Sequence, residues 1–181
     1  MNIFYLSPDP KECAKLHNDK HVVKMILEYG QLMSTAHRVL DGKEYYGKTI
    51  NNRNIKRWLL PDERENILWK ASHIKHPSGI WTRSSDKNYK WLYSLWFYLL
   101  QEYTFRYGKH HSAERMMPFF WVCPINIPKG EFTQPTPAMP EQYKVKDNSI
   151  QSYINYYNGS KQHLASWKKR EVPNWFVNIQ G

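Results

Sequence analysis

Between residues 17 and 38 the polar side chains His17, His21, Lys24, Glu28, Gln31, Thr35 and Arg38 recur in steps of 4, 3, 4, 3, 4 and 3. On an α-helix that spacing places all seven on one stripe. The stripe is flanked by Val22, Met25, Ile26, Tyr29, Leu32, Met33, Ala36, Val39 and Leu40. A surface helix backs its apolar face with a broad solvated one. Here that solvated face is narrow, so the spacing predicts a helix packed nearly all round, with titratable groups lined up in the interior or in a cleft. Buried charge is costly unless paired, and a row of it points to a site.

The rest of the chain reads as helical too. Asp9, Pro10 and Glu12 form a helix start, and a helix or pair of helices runs from there to about Leu40, stopped by Asp41-Gly42. Residues 41–57 are polar and read as a loop. Pro61-Asp-Glu begins another helix reaching about Ser72, and His76-Pro-Ser-Gly reads as a turn. One of Ser84, Ser85 and Asp86 caps a long helix whose Tyr89, Leu92, Leu95, Trp96, Leu99 and Tyr103 recur at core spacing. Gly108 stops it. Ser112 caps a short helix limited by Pro118. Six of the eleven prolines fall in 118–140, so that stretch reads as a long irregular wrap. The last helix starts near Asp147 or Asn148 and reaches about Trp167, through an unfavourable Gly159. The expectation is an all-α fold: a compact helical bundle, residues 1–181 as one domain, with a proline-rich loop at 118–146 packed on it.

Lys and Arg number 26 against 16 Asp and Glu, a net charge of +10, and 15% of the residues are aromatic. Cations bind phosphates and rings stack on bases, so this mixture suits nucleic acid; it equally suits a soluble protein with an aromatic core. No 18-residue apolar run predicts a membrane span, and no secretory leader pattern is visible. Cys13 and Cys123 make no zinc pattern and read as packed thiols of a reduced, cytoplasmic protein. The expected chain needs no metal or cofactor and is a monomer.

Three readings compete for the stripe. His17 and His21, four apart, have the spacing of a metal pair, although Lys24 opposes a cation there. Glu28 also fits a buried carboxylate satisfied by Lys24 or His21. Alternatively Glu28 moves a proton or stabilises a developing cation, tuned by His21 and Lys24. A lysine held among apolar groups becomes a nucleophile toward a carbonyl or sugar C1′. A second set, His76, Trp81, Arg83, Ser84 and Asn88, combines an aromatic, an arginine and hydroxyls before a helix start. That set suits a phosphate or base, or else a tight turn with Trp81 in the core and Ser84 as a cap. His110-His111 and Lys168-Lys169-Arg170 read as helix-end surface groups.

The blocks DKHVVKMILE, HPSGIWTRSSDKNYKWL, EYTFRYGKHH, QPTPAMPEQYK and ASWKKREVPNWF resemble those of a family of small phage-associated proteins. More distantly, the chain is similar to the pyrimidine-dimer DNA glycosylase family, the T4 endonuclease V type. The similarity rests on the seven-residue spacing of His21 and Glu28, on NYKWLYSLWFYLLQEYTFRYGK, and on Arg170 through Phe176. It implies an all-α fold with an N-terminal segment threaded between helices, and Glu28 as the catalytic carboxylate. Leu27 and Gln31 stand where that family carries arginines. Met1-Asn2 stands where it has a free threonine amine, so the Met1 amine or Lys24 would take the nucleophile's place.

The expected function is that of a DNA-acting glycosylase-like enzyme, with possible lyase activity. Its catalytic residues would be Glu28, Lys24, His21 and Met1. Its substrate-binding residues would be His17, Gln31, Arg38, His76, Trp81, Arg83, Ser84 and Asn88. Two alternatives stand beside it: an enzyme acting on a nucleotide or hypermodified base, and a non-enzymatic nucleic-acid-binding or host-interaction protein.

Overall fold

The first six residues are the thread on which the domain is strung. In the computed structural model, which describes residues 1–177, Ile3, Phe4, Tyr5 and Leu6 are all buried although they belong to no helix or sheet. Their backbone must therefore find partners among side chains. The Phe4 N–H donates to the Tyr29 hydroxyl at 3.0 Å. The Cys13 thiol donates to the Phe4 carbonyl at 3.2 Å and accepts from the Leu6 N–H at 3.4 Å. Burial pushes that thiol up to about 12, so it keeps the proton it donates.

Helix α1 (Pro10–Leu16) starts as expected: the Asp9 carboxylate accepts from the Glu12 N–H and Pro10 sits in the first turn. It ends at His17, whose backbone is extended, and Asn18 caps a new helix, α2 (Asp19–Asp41), by accepting from the His21 N–H. His17 therefore lies outside the helix that carries the rest of the polar stripe. Helix α2 is the central rod. Its Val22, Met25, Ile26, Tyr29, Leu32, Met33 and Ala36 are buried. Full burial of such side chains stabilises by roughly 1.5–3 kcal/mol each.

A two-stranded antiparallel hairpin follows, β1 (Lys43–Lys48) paired with β2 (Asn54–Leu59), in register from Lys43 opposite Leu59 to Lys48 opposite Asn54. This corrects the all-α expectation: the domain is predominantly helical but mixed, and the segment read as a loop is sheet. Helix α3 is only Arg64–Ile67, not a helix to Ser72. Its continuation is prevented by Arg38, which takes up carbonyls that a helix would use, those of Glu65, Leu68 and Trp69.

His76 opens a helix where a turn was expected. Its ring Nδ1 accepts from the Ser78 N–H at 3.1 Å and Pro77 occupies the first turn of α4 (Pro77–Ser84). Helix α5 (Asp86–Tyr107) is capped by Ser85 and terminated by Gly108 at φ +68°. Its Tyr89, Leu92, Leu95, Trp96 and Leu99 are fully buried, and the Trp96 indole donates to the Ile26 carbonyl at 2.9 Å. Gly30 is required where α2 meets the 68–76 segment, because a Cβ there would stand 2.7 Å from the Trp69 ring.

Residues Ser112–Met116 form a 3₁₀ turn capped by His111, and Pro118 begins α6 (Met117–Trp121) where it was expected to end a helix. The proline-rich stretch then wraps the outside with a single 3₁₀ turn, Glu141–Tyr143, until Asn148 caps α7 (Ser149–Asn158). Gly159 ends α7, so the helix expected to reach Trp167 stops nine residues earlier, at Asn158. Tyr153, Tyr156 and Tyr157 of α7 close over Phe4.

Candidate functional site

The stripe divides into residues committed to the fold and residues that keep their charge near the surface. Arg38 is fully buried and reaches the carbonyls of Trp58, Glu65, Leu68 and Trp69 at 2.6–3.1 Å, together with the Glu65 carboxylate. Every donor of its fork is spent on the fold, so it does not bind substrate. Thr35 is likewise committed, pairing with the Ser72 backbone at 3.1 and 3.3 Å.

His17 is committed as well. A carbonyl only accepts, so its Nδ1–H donates to Cys13 at 2.7 Å. Its Nε2 then accepts from the Tyr29 hydroxyl at 2.9 Å. The relay Phe4 N–H to Tyr29 to His17 to Cys13 pins the N-terminal segment to α1 and α2. Burial holds His17 down to about 4, so the ring is neutral near pH 7. His21 is stacked on Phe4 at 4.0 Å and hydrogen-bonded to Tyr157 at 2.6 Å. Burial, reinforced by the charges of His17, Lys161 and Lys24, lowers it to about 2. His21 positions the threaded segment; it is not a proton carrier near neutrality. With both rings turned to these partners, the metal-pair reading of His17 and His21 has no support. Among the described residues no three His, Cys, Asp or Glu side chains converge in a metal-holding arrangement.

Further along α2 the character changes. The Glu28 side chain is about one-fifth exposed and pairs with Lys24 Nζ at 3.2 Å. Lys24 is two-thirds exposed, so its ammonium lies in solvent and lacks the apolar surroundings expected of it. His76, brought over α2 by the 68–76 segment, is lowered by burial, then by the Met1 α-amino group and by His73, while Glu28 opposes the shift. The Nδ1 of His76 is held by the Ser78 N–H, so the neutral ring carries its proton on Nε2. Lys24 also borders a groove of about 540 Å³ shared with Lys20, Val23, Tyr107 and His163, which Glu28 does not line. Gln31, half-buried, follows Glu28 on the same face.

The second predicted set comes apart. Trp81 is buried and its indole donates to the Thr133 carbonyl at 3.1 Å. Asn88 is buried between Trp81, Ser84 and Thr133. Ser84 donates to Trp81. These three fasten the proline-rich wrap to α4 and α5, which corrects their assignment to substrate. Arg83 donates to the Ile74 carbonyl at 2.6 Å and steadies the segment that carries His76. Burial lowers its proton affinity, and its Nη1 is buried with no hydrogen-bond partner among the described residues. Of the set, His76 is the one whose proton affinity Glu28 raises.

His73 was not anticipated, and neither were the tyrosines Tyr29, Tyr153 and Tyr157 that grip the N-terminal thread. The apolar run Ile3-Phe-Tyr-Leu was the available signal for them. Comparison of the chain with protein-family models, with curated proteins and with solved structures returns no match. Among the described residues no helix is long and apolar enough to cross a membrane.

Proposed function

We propose that this chain is a DNA-acting glycosylase-like enzyme that removes a damaged or modified base, with Glu28 as its central catalytic group. The observation that carries the reading is the pairing of one carboxylate with one amine, Glu28 with Lys24 at 3.2 Å; Glu28 and the Met1 amine both act through their charge on His76. The basic, aromatic-rich composition supports a nucleic-acid substrate. The threaded N-terminal segment is the arrangement that the resemblance to the pyrimidine-dimer glycosylases implies.

The chemistry follows from the groups. An amine attacks sugar C1′ as the bond from C1′ to the base breaks. The bonding electrons leave with the base, which takes up a proton. Glu28 stabilises the positive charge that develops on the sugar and accepts the proton the amine loses. His76, neutral with its proton on Nε2, is a donor for the leaving base or a phosphate oxygen. In a chain that starts at Met1 the α-amine at the head of the buried thread is one candidate nucleophile; Lys24, paired to Glu28 at 3.2 Å, is the other.

The test is duplex DNA carrying photodimers, deaminated bases or abasic sites, incubated with the protein and borohydride. The expected result is a trapped covalent adduct, and strand or base release that falls at least about 100-fold in Glu28→Gln. Cleavage at the wild-type rate by Glu28→Gln removes the carboxylate from the mechanism. A chain carrying one extra residue before Met1 separates the two amines: lost trapping assigns the α-amine, retained trapping assigns Lys24.

A further inference from the structure

The hairpin is the feature for which the catalytic reading has no use. A two-stranded hairpin is marginally stable alone, and this one is anchored to the body only at its base. There Trp58 is buried and its carbonyl accepts from Arg38. Beyond that point both faces are largely open to solvent. Cross-strand neighbours share a face, so Tyr46 and Lys56 lie on one side and Tyr45 and Arg57 on the other.

Its charge is one-sided. From 43 to 59 five residues are basic (Lys43, Lys48, Arg53, Lys56, Arg57) and one acidic, and that one, Glu44, is neutralised by Lys56 at 2.9 Å. The tip is ordered: the Thr49 N–H donates to the Arg53 carbonyl and the Arg53 N–H to the Thr49 hydroxyl, with Asn52 at φ +57°. That turn presents Asn51, Asn52 and Arg53 outward beside Ile50, which is wholly exposed.

We infer that the hairpin is a DNA-reading ribbon that enters the major groove of duplex DNA. Six residues per strand extend about 20 Å at ~3.3 Å per residue. A ribbon of two strands fits a groove about 12 Å wide and about 8.5 Å deep. At the tip Asn51, Asn52 and Arg53 carry the amide and guanidinium groups that meet base edges, and Ile50 offers an apolar contact for thymine methyls. Lys48, Lys56 and Arg57 stand behind the tip, where the phosphates that wall the groove would lie. Charge complementarity selects duplex DNA as the occupant. The inference rests on the DNA reading above, but not on the chemistry assigned to Glu28.

The test is the full chain titrated into a fluorescent 20-base-pair duplex at several salt concentrations. It is compared with a hairpin variant (Lys48→Gln, Arg53→Gln, Lys56→Gln, Arg57→Gln) and a charge-matched control on other elements (Lys11→Gln, Lys109→Gln, Lys144→Gln, Lys146→Gln). All eight side chains stand on exposed or half-exposed positions, and an unchanged circular-dichroism melt verifies the fold of each variant. The hairpin variant is expected to bind at least about tenfold more weakly and to flatten the slope of log affinity against log salt by about 3, since each lost phosphate contact removes about 0.9. The control should stay near wild type, and wild type should protect guanine N7 from methylation.

Equal weakening in both variants, or none in either, overturns the hairpin's role. Lost binding without N7 protection overturns the groove assignment. A wild-type chain that binds no duplex overturns this inference together with the DNA reading. Wild-type cleavage by Glu28→Gln, with hairpin-dependent binding intact, overturns only the catalytic reading.

Discussion

Acid should unfold this protein well above the range in which its carboxylates titrate. His17, His21 and His37 are buried as neutral rings. His17 and His37 are lowered to about 4, and His21 to about 2, from an ordinary 6.5. For His37 the causes are burial and then Arg64, whose Nη1 donates to the ring Nδ1 at 2.9 Å and so forces Nε2–H toward Tyr89 at 2.8 Å. A ring whose folded value is depressed contributes full stability above pH 6.5. It loses that stability as pH falls, until the folded ring itself protonates.

At pH 5 each of the three rings lowers the stability by about 2 kcal/mol, and together by about 6 kcal/mol, against a typical total of about 5–15 kcal/mol for a domain. The paired carboxylates Asp19, Asp41, Glu65 and Glu102 titrate below their ordinary values, so their contribution is lost only below about pH 4.5 and leaves the pH 5–7 window to the histidines. Urea unfolding followed by tryptophan fluorescence at pH 7, 6 and 5 should show this loss. His37→Gln, which keeps an acceptor for Arg64 and a donor for Tyr89, should recover about a third of it. A stability that moves by less than about 1 kcal/mol between pH 7 and 5 would refute the buried neutral rings.

Other perturbations discriminate between structural and functional roles. Arg38→Met should destabilise by about 3–5 kcal/mol in urea unfolding, because it strands four carbonyls and leaves Glu65 with only Lys70 and the Leu60 N–H as partners; a loss under about 1 kcal/mol would return Arg38 to the substrate ligands. Asn88→Ala should loosen the proline-rich wrap, lowering stability by about 1–2 kcal/mol and speeding tryptic cleavage at exposed Lys129. Gly108→Ala should cost about 1 kcal/mol in thermal unfolding from its φ of +68° alone, since nothing lies within 4 Å of the added Cβ.

The features legible in the sequence are those in which local chemistry and packing agree. The Asp9 and Asn148 caps, the buried spacing of α5 and the Gly108 stop all appear as read. The hairpin was hidden because most of its residues face solvent on both sides, which erases the alternation that marks a half-buried strand. The shortness of α3 was hidden because its cause, Arg38, lies 26 residues upstream of Arg64 and acts through carbonyls. Glu28 stands out in the sequence by its place on the stripe and His76 by its sequence neighbours; that the charge of Glu28 bears on His76 is visible only in the fold. Lys24 was placed on the right face with the wrong surroundings, since periodicity reports direction and not depth.

The buried thread sets an order on biosynthesis. Asn2 leaves the ribosome well before the Tyr153 that meets it, 151 residues later. Until α7 emerges, Phe4 lacks the tyrosines that close over it, and the side chains of the thread must wait exposed or in temporary contacts. Helix α7 thus acts as the latch of the core, and any nascent fragment that stops short of it would be a client for chaperones and proteases.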